Sequence, residues 1–306
     1  MTRVRWTAAA AVLLLSNLGG MGCATLEDAA KRGASLGVFD GVVSQEQATS
    51  ITKVVKAVSK TFEEITPEQE HYIGRSVGAV LVNKYNPYPN GLANDYLNLL
   101  GQTLAQASNR PEIFGGYHFL ILDSPEINAF AAPGGLIFVS RGMLGCCKSE
   151  GAVAAVLAHE IAHVQLRHGL QAIDKSRMTE ALTTLGAEGA KNYGGQMLAD
   201  LTKVFEGSIN DVTATLVNNG YSRSFEREAD AAAVTILTRL GYDPAGLVAM
   251  LTEMEKNLKP GGLDFARTHP SPRSRIDDIE RQYAGGKGFT EVPARQARFR
   301  KGLENI

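Results

Sequence analysis

One stretch of the chain must lie at the centre of whatever fold it adopts. Ser149 and Glu150 open a predicted helix whose residues from Ala152 to Ala158 are apolar on nearly every side. A helix of this kind has to be buried, because no face of it suits water. The same helix then continues into polar side chains, which need specific partners once they are buried. The sequence therefore predicts a core helix that carries a polar cluster.

The polar residues of this helix form the pattern His159-Glu160-Ile161-Ala162-His163. At 3.6 residues per turn, His159 and His163 lie only about 40° apart around the helix, and Glu160 lies about 100° from His159. Two imidazoles on one face can hold a zinc ion, while the carboxylate is placed to deprotonate a metal-bound water. The alternative is a pair of core histidines that are merely hydrogen-bonded.

A catalytic zinc ion needs a third protein ligand and an open position. One class of enzymes with this motif has Gly three residues after the second His and a third His at six. Leu166 and Gly169 occupy those positions here, which excludes that class. His168 lies five residues after His163, about 140° further round a continuous helix, so we expect it to point elsewhere in a structural role.

A carboxylate from a second helix can supply the missing ligand. Glu226 and Asp230 are four residues apart and share a helix face, whereas Glu228 points about 200° away from Glu226. Glu226 can then bind the metal while Asp230 accepts the free N–H of a ligand histidine. The alternative is a solvated face of charges, but the helix turns apolar from Ala231 to Leu237, so at least half of it should be buried.

The N-terminus has the composition of an export signal. Arg3 and Arg5 precede the apolar run 8–15, and small residues follow before Cys23. The junction before Cys23 resembles a bacterial lipoprotein cleavage site, although Gly20 stands where Leu is usual. We expect a signal peptide over residues 1–22 and a lipid on Cys23; the alternative is a plain cleaved signal. Residues 23–61 are predicted to form a tether and an amphipathic helix.

The remainder of the chain reads as one globular domain, residues 62–284, followed by a basic tail, residues 285–306. Helices are predicted for the ranges 67–85, 94–108, 226–240, 244–258 and 273–283, and strands for 117–122 and 136–140. Pro133 cannot donate to a strand ladder, so the stretch from Asn128 to Gly135 should be an edge strand or a loop. The formal net charge of −1 gives no reason to expect a nucleic-acid partner.

Five motifs, in this order, resemble the HtpX, BepA and LoiP-type zinc peptidases, which are related to the type I CAAX prenyl proteases. They are the sequences at 66–70, 128–135, 159–163, 226–230 and 269–271. The resemblance covers about residues 62–283 and implies an α+β gluzincin fold, mostly helical around a small sheet. It also implies that Glu226 is the third zinc ligand and Asp230 its partner.

The same resemblance assigns a role to the stretch before the core helix. It implies that this stretch is an active-site edge strand that pairs with the substrate backbone through the residues Asn128, Ala129, Phe130, Ala131, Pro133 and Gly134.

His269 stands between Thr268 and Pro270, on a segment stiffened by prolines at 270 and 272. The resemblance places this histidine beside the metal, where two roles compete. It can stabilise the oxyanion of a tetrahedral intermediate, or it can be a fourth ligand that keeps the enzyme latent.

We therefore expect a zinc endopeptidase, with one Zn²⁺ per chain, that cleaves misfolded or unassembled proteins of a bacterial cell envelope. The chain lacks the membrane spans of HtpX and the repeat array of BepA, and looks most like the compact lipoprotein members. A lipid anchor should hold it facing the periplasm, at the outer membrane rather than the inner. The alternative is a non-proteolytic envelope chaperone or assembly factor with a structural zinc site. The sequence does not indicate an oligomeric state.

Overall fold

The computed structural model describes residues 65–173, 206–257, 269, 271–282, 292–304 and 306. The chain divides into two compact units, Met1–Ile65 and Thr66–Ile306. The predicted signal peptide, the tether and the helix before residue 62 lie outside the described residues, as does Cys23. No helix in the described ranges is long and apolar enough to cross a membrane.

The second unit is mostly helical and contains one small sheet. Its strands are β1 (His118–Leu122), β2 (Ala129–Ala132) and β3 (Leu136–Ser140). The helices before the 174–205 gap are α1 (Pro67–Tyr85), α2 (Gly91–Gln106), α3 (Arg141–Cys146), α4 (Glu150–Gln165) and α5 (His168–Gln171). Those after it are α6 (Glu206–Ala214), α7 (Arg223–Arg239), α8 (Ala245–Asn257), α9 (Pro272–Gln282) and α10 (Pro293–Gly302). This confirms the predicted α+β class.

Local sequence signals set the ends of the main helices. Thr66 caps α1 with a reciprocal capping box to Gln69, and Pro67 occupies the first helical position. Ser149 caps α4 by accepting a hydrogen bond from the backbone N–H of Ala152. Gly241, with φ of +68°, follows the end of α7, a conformation that suits glycine. These starts and stops agree with the prediction to within a few residues.

The sheet has the order β1–β3–β2, with β1 parallel and β2 antiparallel to the central strand β3. The predicted strands at 117–122 and 136–140 are confirmed. The chain leaves β2 through a 3₁₀ turn at Pro133–Gly135, in which Gly134 and Gly135 have positive φ. The expectation that residues 128–135 form an edge strand or a loop is also confirmed, because within the described residues β2 pairs only with β3 and Pro133 lies in the turn that follows.

Side-chain amides of α2 close the outer edge of β1. The Asn94 and Asn98 Oδ1 atoms accept hydrogen bonds from the backbone N–H groups of Ile121 (2.9 Å) and Phe119 (3.0 Å). The Asn98 amide donates back to the Phe119 carbonyl at 2.7 Å, and Gln102 donates to the carbonyl of Tyr117. Positions 94, 98 and 102 lie on one helix face, so this ladder replaces a neighbouring strand with a helix.

Helix α4 is the centre of the domain, as its composition predicts. Every residue from Ala152 to Val164 is buried. One side of the helix packs against α7, and others pack against α8, α2 and β2. Each of the polar side chains His159, Glu160 and His163 is no more than 2% exposed. The polar motif is therefore fixed inside the core rather than on a loop.

The end of the chain supports this core. The sequence predicted only a basic tail there, but residues 293–302 form helix α10, which packs against α2 and α4. Arg298 pairs with the buried carboxylate of Glu150 at the start of α4, at 2.6 Å. Arg295 donates to the carbonyls of Leu240 and Gly241, just after α7. One short helix thus contacts an end of each of the two central helices.

Helix α1 approaches the turn after β2 very closely, and Gly74 makes this possible. A Cβ atom at position 74 would lie 1.7 Å from the carbonyl oxygen of Pro133. Because the obstacle is backbone, no side-chain rotation would relieve the clash.

We predict that Gly74→Ala lowers the free energy of unfolding by about 1–3 kcal/mol or more, because α1 and the turn must separate. Urea denaturation of the purified protein measures this change. Gly145→Ala is the matched control, since a Cβ at that helical position meets nothing within 4 Å. Equal stability of the two variants would contradict the proposed close approach.

Candidate metal centre

Four buried side chains converge on one point beside α4. His159 and His163 come from α4, Glu226 from the first turn of α7, and His269 from the segment before α9. One potential ligand atom of each lies within 4.8 Å of the others. The Nε2 atoms of His159 and His163 are 3.1 Å apart, and each lies 3.5 Å from an oxygen of Glu226. His269 Nε2 is 3.7 Å from Glu226 Oε1.

The packing of α4 against α7 explains this convergence. His159 and His163 are one turn apart and project from the same face, toward α7. Ser222 caps α7 by accepting from the N–H of Phe225, which places Glu226 in the first turn opposite the two histidines. Spacing within each helix and contact between the helices are together sufficient to assemble the three groups.

The chemistry of this donor set matches a metal ion. Neither carboxylate oxygen of Glu226 accepts a hydrogen bond within the described residues, although both are buried. A buried carboxylate without donors is costly unless a cation compensates it. Four ligands at about 2.1 Å around a tetrahedral ion would be about 3.4 Å apart, close to the separations found here. The four residues therefore fit one tetrahedrally coordinated ion.

The electrostatics of the two glutamates differ sharply. Burial alone would raise the pKa of Glu226, but His269, His159 and His163 outweigh it and hold that pKa well below its usual range. Burial raises the pKa of Glu160 to about 7, with His159 and Arg275 opposing the shift and Glu226 adding to it. Glu226 is thus an anion suited to bind a cation, whereas Glu160 lies near the range where it can exchange a proton.

Asp230 lies on the far side of His159 and is held by an arginine. Its Oδ1 is 3.0 Å from His159 Nδ1, and Arg275 binds both of its oxygens, at 3.0 and 2.6 Å. Arg275 also lies 3.2 Å from His159 Nδ1, but that nitrogen cannot donate to Asp230 and accept from Arg275 at once. With Nε2 directed at the cluster, Nδ1 carries the proton and donates to Asp230.

Sequence reasoning did not identify Arg275, which is 3% exposed. A signal was present: Arg275 shares a face of α9 with Ile279, four residues later, and Ile279 is buried. An arginine on the apolar face of a helix needs an anionic partner. Asp230 is that partner.

The expectation for His168 is wrong in its geometry. The expected angle of about 140° between His163 and His168 holds only for a continuous helix. Helix α4 instead ends at Gln165, and Arg167 adopts a left-handed conformation with φ of +57°. The chain turns back, and His168 Nδ1 comes to lie 2.9 Å from His163 Nδ1. His168 therefore contacts a residue of the cluster directly.

Tyr221 is a second neighbour that the sequence did not reveal. Its ring stacks on His163, with centroids 4.3 Å apart and planes 18° from parallel. Its hydroxyl is buried and has no hydrogen-bond partner within the described residues. Burial, together with the charges of Glu160 and Glu226, raises its pKa, so the phenol stays protonated.

The stretch expected to bind substrate lies beside the cluster rather than within it. Strand β2 packs along α4, and its four residues, with Asn128 before it, are no more than 3% exposed. Phe130 stacks on Tyr85 with centroids 5.5 Å apart. The backbone N–H of Gly134 points to Glu70 Oε1 at 3.4 Å.

The sequence is similar to several known proteins. The chain is 31% identical to the beta-barrel assembly-enhancing protease of Escherichia coli K12 over 197 residues. This alignment covers 61% of this chain and 38% of that protein. The chain is 33% identical over 166 residues to the mitochondrial metalloendopeptidase OMA1 of Schizosaccharomyces pombe, covering 52% and 44%. The corresponding protein of Arabidopsis thaliana is 32% identical over 162 residues, covering 52% and 30%.

The matched regions span less than half the length of each of these relatives. The profile of peptidase family M48 matches residues 92–283, which is well over half of the chain. This range includes α4, α7 and the segment that carries His269. The chain belongs to peptidase family M48.

Proposed function

We propose that this protein is a zinc-dependent endopeptidase. The observation that carries the proposal is the buried carboxylate of Glu226, which accepts no hydrogen bond from the part of the chain that the structure describes and faces two imidazole nitrogens at 3.5 Å. Zinc accepts His nitrogen and carboxylate oxygen in tetrahedral sites, which is why we choose it over Mg²⁺ or Ca²⁺, which prefer oxygen ligands. Family membership supports the same assignment.

In the proposed mechanism, each residue around the centre has one task. A zinc ion bound by His159, His163 and Glu226 would supply Lewis acidity for the scissile carbonyl and for a water molecule. Glu160 takes a proton from the attacking water and later delivers it to the leaving amine. Asp230 fixes the orientation of His159 through its Nδ1–H. Burial of the whole group strengthens each of these interactions.

We propose that substrates pair with the outer edge of β2. The Ser140 N–H donates to the Asn128 carbonyl and the Asn128 N–H donates to Ser140 Oγ, so hydrogen bonding to β3 alternates and the backbone groups of Ala129 and Ala131 face away from it. The N–H of Ala129 is already bonded to the Asn128 side chain at 3.0 Å. This leaves Ala131 as the main pairing site, flanked by Phe130 and, at the turn, by Pro133 and Gly134. Because the segment Thr215–Asn219 lies beside β2, it must move aside to admit a substrate strand.

Recognition through main-chain hydrogen bonds selects for extended segments rather than for particular side chains. We therefore propose misfolded or unassembled cell-envelope proteins as substrates. The name of the Escherichia coli relative, a beta-barrel assembly-enhancing protease, supports an envelope setting. We further propose that the chain is exported and lipidated on Cys23, facing the periplasm at the outer membrane rather than the inner.

The first test addresses Glu160. Glu160→Gln removes the proton acceptor but keeps the side-chain volume, so we expect cleavage of an unfolded protein such as casein to fall at least about 100-fold. Zinc content, measured by atomic emission, should remain at one ion per chain. Undiminished cleavage would refute the mechanism, and zinc with no peptidase activity in either the unmodified protein or His269→Ala would favour the chaperone alternative.

The second test compares two glutamates on α7. Glu226→Ala should abolish stoichiometric zinc binding, because the anionic ligand is lost. Glu228→Ala is the matched control: its carboxylate lies on another face of the helix, 3.5 Å from His168, and most of the zinc should be retained. Zinc titration of both purified variants decides the matter, and the reverse order would mean that the wrong carboxylate has been chosen.

The third test concerns His269, which we propose to be a fourth ligand in the state described here. Its Nε2 lies 3.7 Å from Glu226 Oε1, a separation that suits two ligands of one ion. A fourth protein ligand leaves no position for water, so His269→Ala should raise peptidase activity several-fold or more. A fall of about 10²–10³ with zinc retained would instead assign His269 to oxyanion stabilisation.

A further inference from the structure

The partner of His163 inside the protein is another histidine, not a carboxylate or a carbonyl. His168 is fully buried, and its Nδ1 lies 2.9 Å from His163 Nδ1. The Nε2 atom of His163 faces the cluster of potential ligand atoms. A nitrogen that binds a metal offers a lone pair, so the proton of a neutral His163 must be on Nδ1.

This fixes the direction of the hydrogen bond and the tautomer of both rings. His163 Nδ1–H donates, so His168 Nδ1 must accept and its proton is on Nε2. The nearest carboxylate to that Nε2–H is Glu228 Oε2, at 3.5 Å. At this distance the two groups make no hydrogen bond, and His168 Nε2 has no hydrogen-bond partner within the described residues. Glu228 is partly exposed, so the line His163–His168–Glu228 runs from the buried centre to solvent.

Several independent contacts hold His168 in this position. Arg167 takes the left-handed conformation, which is uncommon for a residue with a Cβ, and so reverses the chain after α4. Arg167 Nε lies 3.4 Å from the buried carboxylate of Glu70 on α1. On its other side, the ring of His168 stacks on Phe225, with centroids 4.4 Å apart and planes 5° from parallel. Phe225 precedes Glu226 on α7, so His168 contacts both helices that carry potential ligands, α4 through His163 and α7 through Phe225.

We propose that His168 is a positioning residue that orients His163 as a metal ligand and fixes its tautomer. The inference rests on the metal site of the proposed function. In other proteins such partners of ligand histidines contribute about 10–100-fold in metal affinity. The same hydrogen bond holds His163 Nε2 toward the other potential ligand atoms before a metal ion binds.

Two amide substitutions that differ by one methylene group test the geometry. In His168→Asn the side-chain oxygen can occupy the place of Nδ1 and accept from His163, whereas in His168→Gln the amide lies near the place of Nε2. The dissociation constant for zinc, measured by competition with a chromophoric chelator, should stay within about threefold of the unmodified protein for Asn. For Gln it should rise about 10–100-fold.

Two further measurements separate positioning from folding. Thermal unfolding of the metal-free variants should be similar for Asn and Gln, and the visible absorption of bound Co²⁺ should change only for Gln. His118→Asn is the matched control, because His118 lies on β1 and contacts the carbonyl of Gly115. It should leave zinc affinity unchanged.

Each outcome has a definite meaning. Equal zinc affinity for Asn and Gln, or tighter binding by Gln, would overturn the positioning role while leaving the metal site intact. Failure of the unmodified protein to bind zinc would overturn the metal site itself, and this inference with it. Weaker binding by Gln with recovery in Asn would support both.

Discussion

The burial of the Glu226 carboxylate governs the organisation of this domain. A carboxylate that is 1% exposed, with no hydrogen-bond donor for either oxygen in the described ranges, needs positive charge nearby. Arg275 supplies one fixed positive charge, 3.6 Å from Glu226 Oε2, but it also binds both oxygens of Asp230, so we expect a bound ion to supply the rest of the compensating charge. We therefore expect a bound metal ion to contribute to the stability of the domain as well as to the proposed chemistry.

The groups around this carboxylate are rigidly supported. Asp230 and Arg275 form a buried two-point pair beside His159, and His168 occupies the equivalent position beside His163. The two ligand histidines of α4, His159 and His163, thus each have the second ring nitrogen bonded from outside the cluster. At the ends of the same two helices, Arg298 and Arg295 of α10 bind Glu150 and the carbonyls after α7. Since α4 and α7 cannot easily slide past each other, the separations between ligand atoms are kept short.

The sequence predicted what depends on periodicity and on local signals. The buried helix with His159 and His163 follows from composition and spacing, and the edge position of β2 from Pro133. What it missed depends on contacts between distant parts of the chain. Arg275 meets Asp230 from a different helix, and His168 reaches His163 only because Arg167 breaks the helix. A positive φ at a residue with a Cβ has no clear signal in a single sequence, so the sequence does not reveal that His168 turns toward His163.

The amide ladder of α2 closes one edge of the small sheet to any further strand. Asn94, Asn98 and Gln102 satisfy the backbone of β1 with side chains, which end after a single bond and offer no new row of groups to a further strand. A strand placed on that side would find its partners already occupied. The sheet can therefore be extended only from β2, next to α4. For a protein proposed to cleave unfolded chains, the same ladder is a safeguard, because it keeps two copies from joining through their β1 edges into a continuous sheet.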